Sequence, residues 1–150
     1  MATFQGSTSG FAELEAALEA LLPKDATSAG RSACRAGAKV IQAALRAAAP
    51  VSDIEEGALR PTGKGKTIAH AKISQHISIK KGTSSASGGI VYLVGTGHAF
   101  HAIFQERGTI HEPARPFAVA AFERAAPAAI EAIGAILKKQ IEKKGGTVEL

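Results

Sequence analysis

The sequence holds one cysteine, one methionine, one tyrosine and no tryptophan. A single thiol, Cys34, excludes an internal disulfide framework and a cysteine-rich zinc site. In this setting Cys34 reads as a small apolar residue on a helix face, and a reducing compartment suits it. No apolar run approaches the roughly 20 residues needed to cross a bilayer. The segment Met1 to Gly6 lacks the basic and apolar regions of a signal peptide, so none is expected. Aromatic residues make up only 5% of the chain, although hydrophobic residues make up 45%. Much of that 45% is alanine, which buries little area per residue. The expected core is therefore thin, with close alanine-faced packing or a partner chain supplying the rest.

What is present fits one folded domain. A chain of 150 residues can bury about 70% of its unfolded surface and fold without a metal. The formal charge is +5, which leaves nucleic acid and acidic protein surfaces open as partners. Charge is placed unevenly. Glu13, Glu15 and Glu19 open the chain as an acidic zone. Arg31, Arg35, Lys39 and Arg46 follow with no acid among them, and Lys138, Lys139, Lys143 and Lys144 form a later basic cluster. Separate acidic and basic zones suit head-to-tail self-association as well as nucleic-acid binding.

Periodicity and breakers predict the elements. Residues 1–10 read as a flexible polar arm, and 11–150 as a single α+β domain. Phe11 to Leu22 reads as a helix with Phe11, Leu14 and Leu18 on one face, ended by Pro23. A second helix, capped by Asp25 or Thr27, runs to about Ala49, where Pro50 stops it. Its apolar stripe is Cys34, Ala38, Ile41, Leu45 and Ala48; its opposite stripe is Arg31, Arg35, Lys39, Gln42 and Arg46. Residues 51–72 read as a loop. Ile73 to Lys81 reads as a strand, Thr83 to Gly89 as a flexible loop, and Ile90 to Val94 as the clearest strand. Ala99 to Gln105 fits a strand or a short helix equally. A long last helix is expected from Pro116, a good first-turn residue, with the stripe Phe122, Ala126, Ile130, Ile133, Leu137 and Ile141 and a kink or restart at Pro127. The plan is two N-terminal helices, a small antiparallel sheet and a long C-terminal helix packed on it.

Motifs for chemistry are weak. Gly63-Lys64-Gly65-Lys66-Thr67 invites a phosphate-loop reading, but Arg60 stands where the first glycine is required. Gly95-Thr96-Gly97 follows a strand, yet Phe100 replaces the third glycine of a dinucleotide fingerprint. His98 and His101 could share a helix face, but no standard set of further zinc ligands is spaced around them. Ser84, Ser85 and Ser87 lack a Gly-x-Ser-x-Gly elbow. Asp53, Glu55, Glu56 and Glu106 could supply paired carboxylates, though nothing places them together. The expectation is no catalysis, no metal and no cofactor. A basic DNA-binding module is the alternative, with a small hydrolase or metal enzyme behind it.

One segment is more distinctive. Phe104-Gln105-Glu106-Arg107-Gly108-Thr109 is followed by Pro113-Ala114-Arg115-Pro116-Phe117 and Ala121. Earlier, Ala49-Pro50 precedes Gly57-Ala58-Leu59-Arg60. This pattern resembles the tail-completion (neck, tail terminator) proteins of lambdoid long-tailed bacteriophages, in which an aromatic-rich strand ends in Glu-x-Gly-Thr, followed by a short loop and Pro-Phe opening a long helix. Residues 61–72, which look like an insertion, and Pro127 depart from the pattern. The resemblance covers roughly residues 11–143 and makes Gly57, Leu59, Glu106, Gly108, Thr109, Pro116 and Phe117 structural motif residues. In physical terms Gly108 suits a positive-φ turn, and Glu106 could pair with Arg107 or Arg115 of the same or a neighbouring subunit.

The resemblance implies a non-enzymatic virion protein, a hexameric ring at the head–tail junction assembled in the host bacterial cytoplasm. Its partners would be further copies of itself, the tail-tube protein, a head-completion (stopper) protein and DNA in the lumen. Candidate intersubunit residues are Glu13, Glu15, Glu19, Arg31, Arg35, Lys39, Arg46 and Arg115. Candidate lumen or docking residues are Lys64, Lys66, Lys80 and Lys81.

Overall fold

The computed structural model describes residues 11–51, 59–61, 67–69, 72–82, 89–97, 99 and 101–144. Nine elements follow one another: α1 (Phe11–Glu19), α2 (Pro23–Ala48), β1 (Leu59–Pro61), β2 (Thr67–Ala69), α3 (Ile73–His76), β3 (Ser78–Lys81), β4 (Tyr92–Gly95), α4 (His101–Arg107) and α5 (Ala118–Lys143). The fold is α+β: mostly helical, with small two-stranded sheets and a long C-terminal helix. The expected polar arm, and the Gly/Ser-rich loop at 83–88, lie outside the described residues.

Several local expectations need correction. Pro23 does not merely end α1; it is the first residue of α2, where a missing N–H costs nothing and the fixed φ suits a helix. The stretch 51–72, read as a loop, contains β1 and β2. They pair antiparallel with Leu59 opposite Ala69, Arg60 opposite Ile68 and Pro61 opposite Thr67. Ile73 to His76 forms a helical turn, α3, instead of the start of a strand. The apolar positions Ile73 and Ile77 are four apart, which is helical spacing, and both are buried. Only from Ser78 is the chain a strand, and β3 then pairs with β4. The ambiguous segment before Gln105 is helical. The last helix starts at Ala118, not at Pro116, and continues through Pro127 as one element. Pro127 has no N–H, so the carbonyl of Glu123 loses its usual helical partner.

The chain divides into two compact units. The first comprises 1–40, 81–93 and 125–150; the second comprises 41–80 and 94–124. In the first, the N-terminal part of α2 runs antiparallel to the C-terminal part of α5. Asp25, in the first turn of α2, takes a 2.6 Å bond from Lys144 Nζ, just past α5. Farther along, Gly37 meets Ala129 and Ile133. A Cβ added at Gly37 would lie 2.6 Å from Ile133 Cγ1 and 3.1 Å from the Ala129 carbonyl oxygen. The contact is closer than any side chain on α2 would allow, which explains glycine within a helix despite its entropic cost.

Alanine carries much of the core. Ala29, Ala33 and Ala38 on α2 and Ala121, Ala125 and Ala129 on α5 are buried. Over its first half the buried row of α5 is thus alanine at every fourth position, while at its end Ile141 of the expected stripe is fully buried. Phe122, placed in that stripe, is 53% exposed, and Ile130, Ile133 and Leu137 are half-buried. On α2 the expected stripe holds at Ala38, Ile41 and Leu45, while Cys34 and Ala48 are half-buried. Burial pushes the Cys34 thiol pKa up, as for a cysteine used for packing. Among the described residues of the second unit, Ile41, Leu45, Ala49, Ile73, Ile77, Ala99, Ala102, Phe117 and Ala121 are buried.

Candidate functional site

The Glu-x-Gly-Thr…Pro-Phe segment folds into a reversal that joins α4 to α5 and fixes where α5 begins. Glu106, near the end of α4, turns its carboxylate onto the start of α5. Oε2 accepts the backbone N–H groups of Phe117 and Ala118, each at 2.9 Å, and Oε1 accepts that of Val119 at 3.1 Å. The first helical bond of α5 runs from Ala121 N–H to the Phe117 carbonyl at 3.0 Å. Phe117 is therefore the N-cap, and Glu106 satisfies its N–H and the next two. A helix start leaves four such donors without helical partners, and it carries partial positive charge. A carboxylate from eleven residues upstream answers both. Burial raises the Glu106 pKa, but the three N–H bonds outweigh it and leave the carboxyl below its ordinary value. Within the chain, the carboxylate offered to Arg107 or Arg115 is engaged by these three backbone N–H groups.

The rest of the segment holds the reversal in shape. Gly108 sits at φ +75, and its N–H donates to the Phe104 carbonyl at 2.8 Å, closing α4. A Cβ there would lie 2.7 Å from Ala114 N and 2.9 Å from the Glu112 oxygen. Glycine is required both by conformation and by space. Thr109 Oγ1 accepts the N–H groups of His111 (3.2 Å) and Glu112 (3.1 Å), a hydroxyl-closed turn. Thr109 N–H donates to the Glu112 carbonyl at 2.9 Å, and Arg115 N–H to the Gln105 carbonyl at 2.8 Å. Pro116 precedes the N-cap and gives up no needed donor. Phe117 is buried. These residues act through backbone geometry.

The charged candidates separate into two groups. Glu13, Glu15 and Glu19 on α1, Arg31, Arg35 and Lys39 on α2, Arg115, and Lys80 and Lys81 on β3 are all exposed. Arg46 differs. Its Nη2 and Nε donate to the Ile77 carbonyl at 2.9 and 3.3 Å, and Gln42 Nε2 donates to the same oxygen at 2.8 Å. That oxygen lies between α3 and β3, where no ladder partner follows, and its two lone pairs take both donors. The basic residues of α2 are thus all exposed, and Arg46 in its second half is also held by an intrachain bond. Gly57, Lys64, Lys66 and the histidine pair's first member, His98, lie outside the described residues; Leu59 begins β1. Among the described residues, no three His, Cys, Asp or Glu side chains are grouped to hold a metal ion. Nor is any described helix long and apolar enough to cross a membrane.

What sequence reasoning missed is a set of large apolar side chains left in solvent. Ile103 is 49%, Phe104 48%, Val119 57% and Ile110 94% exposed. All lie with Phe122 in 101–124, around the Glu106 reversal. A signal existed: the first half of α5 offers an alanine row beside Phe122, and close helix packing selects the smaller residues.

A family model described as "Bacteriophage HK97-gp10, putative tail-component" matches residues 12–108. The match runs from α1 through α4 to Gly108, so it takes in the capping glutamate and the turn glycine. Comparisons with curated proteins and with solved structures give no match. A tail-component family is one of structural virion proteins that work against other tail or head proteins. With nearly two thirds of its length matched, the chain belongs to the HK97-gp10-like family of bacteriophage tail components.

Proposed function

We propose that the chain is the subunit of a closed ring, of six copies, at the head–tail junction of a long-tailed phage. The ring terminates the tail tube, receives the head-completion protein and lets DNA pass through its lumen. The observation that carries this reading is the exposure of Ile103, Ile110, Val119 and Phe122 in a tail-component chain whose own buried residues are mostly alanine. Large apolar side chains gathered on one part of a surface are characteristic of protein interfaces. A ring needs heterologous contacts that close, in which two different patches of each subunit meet. The ring acts by shape and interface charge, without catalysis or cofactor. Lys64, Lys66, Lys80 and Lys81 are proposed for the lumen or for docking a neighbouring ring, and assembly takes place in the host cytoplasm.

The test is electron microscopy of purified tail tubes before and after the chain is added. Capping at one end of each tube, with further tube growth blocked there, is the expected result. Tubes that keep elongating at both ends, with no added density, contradict it. The basic DNA-binding reading draws on the exposed row Arg31, Arg35 and Lys39. It predicts tight binding to duplex DNA that falls steeply with salt, whereas a lumen surface predicts weak binding.

A further inference from the structure

The reading as a ring leaves open which faces meet. Interfaces combine a water-excluding apolar centre with a charged rim. Of the charged surfaces, the basic row of α2 is a poor centre: among the described residues, no large apolar side chain of α2 is exposed. The reversal around Glu106 has both parts. Ile103 and Arg107 lie one turn apart on α4, and both are exposed; Val119 and Phe122 lie one turn apart on α5. Arg115 is tied to α4 through its N–H bond to the Gln105 carbonyl. The negative charge of Glu106 is taken up by three N–H groups. That leaves Arg107 and Arg115 as cations of the patch, with Glu112 and Glu123 as exposed acids beside them.

The complementary surface is on the same chain. Glu15 and Glu19 lie one turn apart on α1, both exposed, and Leu22, 63% exposed, follows them. We infer that in the assembled ring the Glu15–Glu19–Leu22 surface of one copy seats on the Ile103–Arg107–Arg115–Val119–Phe122 patch of the next. The inference rests on the ring reading. It moves the basic half of the contact from α2 to α4 and the approach to α5, and leaves Arg31, Arg35 and Lys39 facing other partners. Two different patches meet, so the contact is head-to-tail, as ring closure requires.

The test uses the full chain in a Cys34→Ser background. Leu22→Cys and Val119→Cys variants are prepared separately, then mixed under assembly conditions with a short bis-maleimide. The mixture is expected to give cross-linked dimer about tenfold above either variant alone, because only unlike positions meet. A Glu15→Arg, Glu19→Arg variant is expected to weaken assembly about tenfold, and mixing it with Arg107→Glu, Arg115→Glu copies to restore it. Native mass spectrometry of the parent chain, alone and with tail tubes, reads the ring itself. A ring with no cross-link and no charge effect overturns this contact and leaves the ring standing. A chain that stays monomeric under every condition overturns both.

Discussion

Replacing Glu106 tests whether the family-like segment is a helix cap. In the native chain its carboxylate accepts three backbone N–H groups at 2.9, 2.9 and 3.1 Å. Loss of a good N-terminal cap costs about 0.5–2 kcal/mol, and loss of a charge at the helix start about 0.3–1 kcal/mol. Phe117 is buried, so its N–H is poorly placed to recover water. Glu106→Ala should therefore cost about 2–3 kcal/mol, toward the upper end of the combined range. Glu106→Gln keeps one oxygen for Phe117 and Ala118 but loses the charge and presents a donor to Val119; about 1 kcal/mol is expected. Urea unfolding at neutral pH, followed by circular dichroism, reads both. The pH dependence sharpens the test. The folded-state pKa of Glu106 lies below its ordinary value, so its stabilisation is complete above the unfolded pKa of about 4.3 and is lost as pH falls through the folded one. The gap between native chain and Glu106→Gln should close over that acid range. An Ala variant within about 0.5 kcal/mol of the native chain, a value typical of neutral surface changes, would refute the capping role. So would a Gln gap that does not narrow in acid.

Other substitutions separate the remaining claims. Gly108→Ala places a Cβ against the backbone of Glu112 and Ala114 at φ +75; a loss of about 2 kcal/mol is expected by thermal or urea unfolding. Arg46→Met removes a charged donor from the Ile77 carbonyl and should cost about 1–2 kcal/mol, whereas Arg35→Met on the first half of the same stripe should stay within about 0.5 kcal/mol. Lys144→Met breaks the bond to Asp25. The Lys144 hydrogen bond, ahead of smaller contributions, lowers the Asp25 pKa, so this contact is present near neutrality and fades as pH falls through the lowered value. Hydrogen exchange at the end of α5 should rise in the variant, with the difference shrinking in acid and in high salt.

The long helices and β4 are legible because their signals are local. Pro50 stops α2, and apolar spacing marks α1, α2 and α5. The turn α3 reads as the start of a strand because Ile77 and Ile79 alternate like a strand while Ile73 and Ile77 repeat like a helix; packing of Ile73 decides between them. The first half of α5 is harder to read for a different reason. A hydrophobicity pattern ranks Phe122 above Ala121, yet the alanine row is the buried one there, while farther on Ile133 fits against α2 because Gly37 has no side chain. Glu106 was singled out by the family-like pattern, while its partner could not be read from charge. Its partner is a set of backbone N–H groups eleven to thirteen residues away, which carry no side-chain signature. Arg46 illustrates the same limit, since its target is a carbonyl 31 residues distant.

Native mass measurement of the purified chain over a concentration series, alone and with tail-tube ends, bears most directly on the account. The account predicts a closed species at a whole-number multiple of the 15.3 kDa subunit, six copies in the ring proposed, that stops growing at that size. A strict monomer in both settings, or an open series of sizes without closure, contradicts it.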